Sequence, residues 1–553
     1  MKSRLFAASA LLALQTLSYA QPKPAAHAIP TLVERDHHFA LMVDGRPFLM
    51  LGFQANNSSA WPAYFDKVFP AAGMLHANTV EAPVYWEQVE AVPGHYDFSI
   101  VDGMLAQARA HHVHMVLLWF GTWKNGSSHY NPQWMKQDQA KYPFLVNKDG
   151  KTVDSPSTYS PARLAADKAA FAALMRHLRA VDAQRTVLMV QVENEAGVWG
   201  GIRDYRPEAE KEFAGQVPEK LVKALGLQAG TWSQVFGDAA DETFQAWCIA
   251  SYIEQVAAAG KAEYPLPLYV NAALRDPFHA TRGSYESGAP TDQNIQLYKV
   301  AAPSLSVIAP DIYMPEYAKY LKTIELYKRF NNPLLIPETG NSAIYAHYVF
   351  AAIGNGAIGF APFGLDLTSY SNLTTGAAAF GDKTRTNPAE ERLQPFANEY
   401  ALLAPIAGKL AEGNLEGKVQ GASEDPAQHT QTLDFPRWTA DLSYGLPAFG
   451  NWFKPKGNNP PDGGAVVMAL GPDEFLVAGH HVRVDFTPKF GQDATTPVGP
   501  SPKKRLFLVV EEGNYDKAGK WKTTRIWNGD QSDYGLNFPA EGTTLLRVKL
   551  GTY

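Results

Sequence analysis

Two glutamates, each at the end of an apolar run and far apart along the chain, are the residues that best fit catalytic chemistry. Glu195 ends the segment 190–195, and Glu338 follows the apolar segment 334–337. Two carboxyl groups that face each other across a pocket can cleave a glycosidic bond, one as proton donor and the other as nucleophile or base. The fold must therefore bring these two side chains together if they are to act as a pair.

Between about residues 40 and 400, short apolar runs alternate with longer amphipathic stretches, which is typical of β/α units. The candidate strands are 48–53, 78–82, 115–119, 187–192, 266–270, 306–309, 333–336 and 357–361. The helical patterns that follow them are 63–75, 101–112, 161–181, 243–261, 294–302, 316–330, 344–353 and 388–403. Eight such repeats predict an α/β fold, a (β/α)8 barrel. An open doubly wound sheet fits less well, because no Gly-rich phosphate turn follows the first strand.

Prolines at the ends of candidate strands support the barrel. They are Pro83, Pro310, Pro337 and Pro362. A barrel strand pairs on both sides, so proline is excluded from its interior and tolerated where pairing stops. The four prolines therefore predict the C-terminal rim of the barrel, where the active sites of this fold lie.

The remaining segments define the domain organisation. We expect the barrel to comprise residues 21–404, with an N-terminal hairpin that turns at Asp44-Gly45. From residue 405 to residue 553, helical periodicity stops and β-rich runs alternate with Gly and Pro, which predicts a β-sandwich. The charged segment 200–241, after the fourth strand, is expected to form a partly helical loop over the rim.

Composition limits the class of protein. The 553 residues carry a formal net charge of −6, and 46% of them are hydrophobic. This balance indicates a large folded protein and argues against nucleic acids or anionic membranes as partners. The single cysteine, Cys248, excludes an intrachain disulfide and is expected to be a buried structural thiol.

The N-terminus has the pattern of a secretory signal. Lys2 and Arg4 precede the mostly apolar stretch 5–17, and the small residues of segment 18–20 provide a cleavage site. The apolar stretch is too short to span a bilayer. We therefore expect residues 1–20 to be a signal peptide and the protein to be exported, either to a periplasm or out of the cell.

Strand ends would place several polar groups at the barrel mouth. Asn194 and Glu195 are adjacent, so both can reach the mouth only if the strand ends or bulges there. Asn194 could then bond a sugar 2-hydroxyl, and Glu195 would be the acid, held protonated by burial beside a second carboxylate. Tyr313 is placed to donate a hydrogen bond to Glu338. We expect a carboxyl separation of about 5–5.5 Å and net retention of configuration.

Two segments resemble a known family. Residues 78–87, Asn-Thr-Val-Glu-Ala-Pro-Val-Tyr-Trp-Glu, running on to Pro-Gly-His-Tyr-Asp-Phe at 93–98, resemble strand two of family 35 glycoside hydrolases, the β-galactosidases. Residues 191–195 with Gly197 are similar to the acid/base motif of that family, and Glu338 matches the nucleophile of the wider clan of retaining barrel glycosidases. The resemblance covers about residues 40–400. It implies Glu195 as acid/base, Glu338 as nucleophile and removal of terminal β-galactose.

Two segments depart from the family pattern. Strand one, 52–57, lacks the Ser-Gly and His-Tyr elements usual in the family, and strand three, 117–125, lacks the common Pro-Tyr-x-x-Ala-Glu-Trp form. Both segments normally help to hold the galactose ring. A divergent bacterial branch that includes enzymes trimming plant cell-wall oligosaccharides, such as xyloglucan side chains, fits better than the standard lactases.

Further rim residues are candidates for substrate binding. Glu81 and Gln54 could bind hydroxyl groups, and Trp123 and Phe363 could stack on the apolar face of a pyranose; ordinary core packing is the alternative for the aromatic pair. With Asn194 and Tyr313, these complete the predicted binding set. No cofactor and no metal are expected.

The sequence thus predicts a secreted, retaining exo-β-galactosidase of carbohydrate metabolism that acts on oligosaccharides. Two alternatives stay open. One is another retaining exo-β-glycosidase such as a β-glucosidase, because the catalytic pair does not read the sugar C4 hydroxyl. The other is a carbohydrate-binding barrel without catalysis.

Overall fold

The computed structural model describes residues 27–368, 389–447, 453–489, 504–516 and 518–553. The predicted signal peptide, residues 1–20, lies outside the described residues and stays a prediction. Among the helices of these ranges, none has the length and apolar character that crossing a membrane requires.

A small antiparallel sheet precedes the barrel. Its strands are β1 (Thr31–Arg35), β2 (His38–Val43) and β3 (Arg46–Phe48). The predicted turn connects β2 to β3, and Asp44 and Gly45 both have positive φ angles, 49° and 75°. A two-residue turn of this kind matches the twist of the flanking strands. β2 and β3 thus form a hairpin about Asp44 and Gly45.

Eight parallel strands close into a barrel, and neighbours in the barrel are also consecutive barrel strands along the chain. The first are β4 (Met50–Gln54), β5 (Thr79–Tyr85) and β6 (His114–Lys124). A separate hairpin of β7 (Phe144–Val146) and β8 (Thr152–Pro156) follows. The others are β9 (Val187–Asn194), β10 (Leu268–Ala273), β11 (Val307–Ile312), β12 (Ile336–Thr339) and β13 (Gly359–Pro362). The predicted (β/α)8 barrel is confirmed.

Helices cover the outside of the barrel and parts of its rim. They are α1 (Phe65–Leu75), α2 (Trp86–Val89), α3 (Ser99–Ala110), α4 (Gln133–Lys136), α5 (Pro161–Val181), α6 (Pro207–Phe213), α7 (Glu219–Leu225), α8 (Trp232–Phe236), α9 (Ala240–Glu263), α10 (Ile295–Ala301), α11 (Tyr317–Tyr327), α12 (Tyr348–Gly354), α13 (Ala389–Leu403) and α14 (Ala407–Leu415). Local sequence sets their ends. The Ser160 hydroxyl accepts the Arg163 backbone N–H at 3.2 Å at the start of α5, a standard N-terminal cap.

Most barrel strands extend further toward the rim than the sequence predicted. Pro83, Pro310 and Pro337 lie two residues before the ends of β5, β11 and β12, whereas Pro362 is the last residue of β13. The prediction that each proline ends its strand is therefore wrong for three of the four. A proline near a strand end removes only one backbone donor where the ladder is already close to its end, so the strand can continue past it.

The segment after β9 forms the predicted partly helical insertion. It contains α6, α7 and α8. The Arg203 side chain is 4% exposed and makes ion pairs with Glu210 and Asp241. Its guanidinium carbon also lies 3.8 Å from the centroid of the Tyr205 ring. A buried arginine with satisfied donors therefore orders this part of the rim.

The C-terminal region contains two antiparallel sheets. Their strands are β14 (Val419–Ser423), β15 (Thr430–Asp434), β16 (Trp438–Ser443), β17 (Gly464–Gly471), β18 (Glu474–His480), β19 (Val482–Pro488), β20 (Arg505–Tyr515), β21 (Trp521–Ile526), β22 (Leu536–Phe538) and β23 (Thr544–Thr552). One sheet has the order β14-β17-β18-β23-β20-β21 and the other β15-β16-β19-β22. Side chains from both sheets, among them Trp438 and Val477, share one buried apolar cluster. This is the packing of a β-sandwich, which confirms the predicted C-terminal fold.

The barrel contacts the sandwich through close backbone packing of α12 on β14. A Cβ atom on Gly421 would lie 2.5 Å from the carbonyl oxygen of Phe350. The Ser423 hydroxyl donates to the His347 carbonyl at 2.6 Å and accepts the Ala351 N–H at 3.1 Å. The close approach of α12 and β14 therefore depends on the absence of a side chain at position 421.

We expect Gly421→Ala to lower the free energy of unfolding by about 1–3 kcal/mol, because the added methyl group meets backbone atoms that cannot move alone. Thermal unfolding followed by circular dichroism measures the change. Gly408→Ala is the matched control, since a Cβ on Gly408 in α14 meets nothing within 4 Å and alanine favours a helix. Equal unfolding midpoints for the two variants would contradict the proposed crowding.

Candidate active site

Glu195 lies directly after β9, where the regular barrel pairing ends. Asn194 is the last residue of the strand, and the pairing with β6 shifts register just before it. Glu193 and Glu195 have positive φ angles, 64° and 44°, a backbone conformation that is uncommon for residues other than glycine. Asn194 and Glu195 were expected to reach the barrel mouth together only if the strand ended or bulged there. The structure has both a strand end and an irregular register at this point.

Two asparagines fix the position of Glu195. Asn125, in the loop after β6, donates its side-chain N–H to Glu195 Oε2. Asn271, in β10, accepts the Glu195 backbone N–H at 3.0 Å through its side-chain oxygen. The Glu195 side chain is almost completely buried. The hydrogen bond from Asn125 therefore fixes the orientation of the Glu195 carboxyl group.

Glu338 lies in β12 and is equally buried. The Tyr313 hydroxyl donates to Glu338 Oε1, which is the contact expected of Tyr313 from its position after β11. The Tyr345 hydroxyl in turn donates to the Tyr313 carbonyl at 2.7 Å. Glu338 Oε2 has no hydrogen-bond partner among the described residues. One oxygen of this carboxylate is therefore oriented by tyrosine and the other is free to react.

The surroundings of Glu338 hold its pKa near neutrality. Burial, which is the largest cause, and the charge of Glu195 raise the pKa of Glu338, and the net result of all neighbouring groups is a rise from 4.5 to about 7. Lys124, Tyr313 and Gln54 act in the opposite direction and lower the pKa. These three groups favour the ionised form of Glu338, which is the form that a nucleophile requires.

The two candidate glutamates meet at the barrel mouth. One oxygen from each of Glu195, Glu338 and Asp311 lies within 4.8 Å of the other two. Retaining glycosidases have carboxyl groups about 5–5.5 Å apart, whereas inverting enzymes separate them by about 6.5–9.5 Å. Glu195 and Glu338, which are far apart in the sequence, are thus brought together at one site.

Asp311 is a third carboxyl group at this position, and sequence reasoning missed it. Its Oδ2 accepts the Asn271 side-chain N–H at 2.6 Å. Burial raises the pKa of Asp311 well above its ordinary value, and the charges of Glu338 and Glu195 raise it further. A neutral Asp311 can stand beside the pair without adding another negative charge. The position of Asp311 directly after Pro310 could have identified it as a rim residue. It was missed because the strand was predicted to end at residue 309.

Lys124, at the end of β6, was missed for the same reason, since that strand was predicted to end at residue 119. The side chain is buried, and its ammonium group lies 5.2 Å from the centroid of the Phe120 ring. Its positive charge lowers the pKa of Glu338 and of Asp311. A buried cation therefore offsets part of the repulsion among the acidic groups.

The three carboxyl groups could also contribute ligands to a hard cation. Within the described ranges, no other set of His, Cys, Asp and Glu side chains has this spacing. Three oxygens supply about half or less of the roughly six to eight ligands that Mg²⁺ or Ca²⁺ takes, and Lys124 adds a repelling charge beside them. The residues present are thus better suited to moving a proton than to holding a cation.

Buried amides in the barrel have polar atoms without a protein partner. Both polar atoms of the Asn194 side chain and both of Gln191 are unpaired in the described part of the chain, as is Gln54 Nε2. Leaving such a group unsatisfied costs about 1–3 kcal/mol. Ligand hydroxyl groups or water can supply the missing bonds, which fits the predicted binding roles of Asn194 and Gln54.

Glu81, in β5, is in register with Gln54 of β4. The Tyr269 hydroxyl donates to Glu81 Oε2 at 3.3 Å. Burial raises the pKa of Glu81 well above its ordinary value, against the effect of this hydrogen bond. The charge of Glu338 also raises it. Glu81 is thus electrostatically linked to the candidate nucleophile, and a role in binding substrate stays a prediction.

The two candidate stacking residues differ in accessibility. Trp123 is fully buried in β6 and packs edge-on against Tyr252, with 4.9 Å between the ring centroids. Its backbone N–H donates to Glu193 Oε2 at 2.8 Å. Phe363, after β13, is only half-buried and bridges to Gln54. Phe363 therefore retains a surface that a sugar ring could contact, and stacking by either residue stays a prediction.

A further buried carboxyl group, that of Glu286, lies beside Glu195. Glu286, in the loop after β10, is 1% exposed and accepts the Trp199 indole N–H at 2.6 Å. Burial raises the pKa of Glu286 well above its ordinary value, and the charge of Glu195 raises it further. Sequence reasoning missed both residues because they lie in rim loops, away from any strand-end pattern.

Comparisons with known proteins add a family match and likenesses of fold. Residues 396–539 match DUF5597, a domain of unknown function. No curated protein matches the sequence. Solved structures similar to this chain include a β-galactosidase from Rahnella sp. R3, with 14% identity, a TM-score of 0.46 and coverage of 67% of this chain and 61% of that chain.

Two further solved structures give similar values. The β-galactosidase from the psychrophilic Marinomonas ef1 has 13% identity and a TM-score of 0.49, covering 66% of this chain and 62% of that one. The exo-β-1,4-mannosidase Op5Man5 from Opitutaceae bacterium strain TAV5 has 15% identity and a TM-score of 0.44, covering 68% and 63%. Each match spans less than two thirds of the solved chain. The function must therefore be argued from the site itself.

The raised pKa of Glu338 predicts a pH-dependent difference in stability between the protein and Glu338→Gln. Below pH 4.5 the Glu338 carboxyl group is protonated in both the folded and the unfolded protein. As the pH rises from 4.5 to about 7, this group ionises only in the unfolded protein, so the free energy of unfolding falls. The glutamine variant avoids this loss, which corresponds to about 3 kcal/mol above pH 7. Urea unfolding between pH 4 and 8 should show the advantage of the variant growing and then levelling off. Glu541→Gln, at an exposed position, is the control, and a constant difference across this range would contradict the prediction.

Proposed function

We propose that the protein is a retaining glycoside hydrolase. The observation that carries this proposal is the convergence of Glu195 and Glu338, whose oxygens lie within 4.8 Å at the C-terminal rim of a (β/α)8 barrel. A carbohydrate-binding barrel without catalysis is less consistent, because it has no use for two buried carboxyl groups held against their mutual repulsion.

The first step uses one oxygen of each carboxyl group. Glu338 Oε2, which has no partner among the described residues, attacks the anomeric carbon while the glycosidic C–O bond breaks. Glu195 gives its proton to the departing oxygen, so the leaving group departs as a neutral alcohol. The Tyr313 hydrogen bond to Oε1 of Glu338 orients the nucleophile. The product is a glycosyl ester of Glu338.

The second step reverses the roles of the two groups. Glu195, now ionised, takes a proton from a water molecule, and the resulting oxygen attacks the anomeric carbon from the face that the leaving group vacated. The ester bond to Glu338 breaks, and its carboxylate is restored. Two inversions give net retention. Asn194 can stabilise the transition state through a hydrogen bond between its unpaired side-chain amide and the sugar 2-hydroxyl.

The proposed substrate is a terminal, non-reducing β-D-galactose on an oligosaccharide, with plant cell-wall side chains of the xyloglucan type as a candidate source. This choice of sugar rests on the resemblance of residues 78–98 and 191–197 to family 35 glycoside hydrolases. Export through the signal peptide 1–20 would bring the enzyme to such oligosaccharides. Another retaining exo-β-glycosidase activity, such as that of a β-glucosidase, is the alternative for the same catalytic pair.

Proton NMR during hydrolysis of a nitrophenyl β-galactoside should show the β-anomer of free galactose first, before mutarotation. This follows from the two displacements at the anomeric carbon. Appearance of the α-anomer first would contradict retention. The nitrophenyl β-glucoside is the comparison for sugar preference, and faster turnover of the glucoside would contradict the galactosidase assignment while leaving the mechanism intact.

Replacing each of the two glutamates should lower kcat, and the dependence of this loss on the leaving group should differ between them. Glu338→Ala should lose at least about 10³-fold in kcat on every substrate, because no glycosyl ester forms. Glu195→Ala should lose about 10²–10⁴-fold on a disaccharide, whose leaving group needs a proton, and less on a dinitrophenyl glycoside, whose leaving group does not. Steady-state kinetics on both substrates measures the contrast. Equal losses for Glu195→Ala on the two substrates would contradict its role as the acid.

A further inference from the structure

The loop that carries Trp199 starts at Glu195 and is fixed against the loop that carries Glu286. Val198 and Ser287 exchange both backbone hydrogen bonds, each 3.0 Å long. A Cβ atom on Gly197 would lie 2.6 Å from the Glu286 Cβ, so the two loops approach closely only because position 197 has no side chain. Trp199 and Glu286 are therefore held at a defined distance from the candidate acid.

Glu286 has one oxygen that is used and one that is not. Its Oε1 accepts the Trp199 indole N–H at 2.6 Å. Its Oε2 is buried and has no hydrogen-bond partner in the described ranges. A buried carboxyl oxygen without a partner is costly, so this atom is suited to bonding a hydroxyl group that is present only in a complex.

Trp199 offers the apolar surface beside this oxygen. Its side chain is 44% exposed, although its indole N–H is fixed by Glu286. A large aromatic ring that is anchored at its polar edge and open to solvent is a surface on which the apolar face of a pyranose can stack. Two independent observations, the exposed ring and the unpaired oxygen, therefore indicate one binding position.

The loop after β6 shows on which side of the catalytic pair this position lies. A Cβ atom on Gly126 would lie 3.0 Å from Trp199 Cδ1 and 3.3 Å from Glu286 Oε1. The Gly126 N–H donates to the Glu195 carbonyl at 3.0 Å, so Trp199 and Glu286 lie beside the candidate acid. The acid donates its proton to the leaving-group oxygen, so the leaving group departs on the side of Glu195. Trp199 and Glu286 are thus on the leaving-group side.

We propose that Trp199 and Glu286 form a binding site for the sugar residue on the leaving-group side of the scissile bond. This inference rests on the proposed glycosidase function. The indole stacks on a neutral pyranose, and Glu286 Oε2 bonds one of its hydroxyl groups. A neutral sugar fits this position better than a uronic acid, whose carboxylate would add a negative charge beside the buried acidic groups of Glu286 and Glu195. The enzyme is then built for oligosaccharides rather than for simple alkyl or aryl glycosides.

The test compares a β-galactosyl disaccharide with β-galactosyl fluoride. Fluoride leaves as an anion without a proton from Glu195 and is too small to reach Trp199. For Trp199→Ala, the ratio of kcat/KM on the disaccharide to that on the fluoride should fall roughly 10- to 100-fold. For Trp199→Phe, which keeps an aromatic ring, this ratio should fall less. Glu286→Gln should also lower the ratio. Phe330→Ala, a 68% exposed aromatic between α11 and β12, is the control and should leave the ratio unchanged.

The outcomes separate the two proposals. If the parent protein hydrolyses both substrates and Trp199→Ala leaves the ratio unchanged, the leaving-group site is wrong and the glycosidase function stands. If Trp199→Ala lowers both rates equally, its role is structural and the site is again wrong. A parent protein that hydrolyses neither substrate, nor the corresponding glucosyl pair, contradicts the proposed function, and the inference falls with it.

Discussion

Two carboxyl groups buried within 4.8 Å of each other repel strongly. At an effective dielectric constant of about 20, two full charges at this distance would cost about 3–4 kcal/mol. The structure reduces this repulsion by keeping protons in the cluster and by placing Lys124 close to it. Three other groups of the site can be understood from this constraint: Asn125 and Tyr313 each donate to a carboxyl oxygen, and Lys124 lowers the pKa of Glu338 and Asp311.

The barrel makes such a cluster possible because its parallel strands end at one rim. Glu195 directly follows β9, and Asp311 and Glu338 lie in β11 and β12. Asn271 of β10 bonds both Glu195 and Asp311. A polar chain across neighbouring strands therefore fixes the acidic groups relative to one another. The positive φ angle of Glu195 is part of the same arrangement, since strain of this kind is kept only where the surrounding contacts hold it.

The sequence predicted the barrel and the convergence of Glu195 and Glu338 because both leave local signals. Alternating apolar and amphipathic stretches report burial, and Glu195 and Glu338 each follow a buried strand. Asp311 and Lys124 were missed because parallel strands continue past a proline or a glycine when neighbouring strands pair with them, which is a tertiary effect. Glu286 had no local signal at all, because its place beside Glu195 depends on the pairing of Val198 with Ser287.

The contact between barrel and sandwich has a consequence for how such a protein could evolve or be engineered. Helix α12 follows the strand that carries Glu338, and Phe350 of this helix is packed against Gly421 of β14 and Gly464 of β17. The C-terminal region is thus not an interchangeable appendage, since it supports the strand–helix unit of the candidate nucleophile. Replacing it with a sandwich from another protein would require glycine at position 421, where the Phe350 carbonyl oxygen is close. It would also require either glycine at position 464 or a smaller residue at position 350, whose ring is close to position 464.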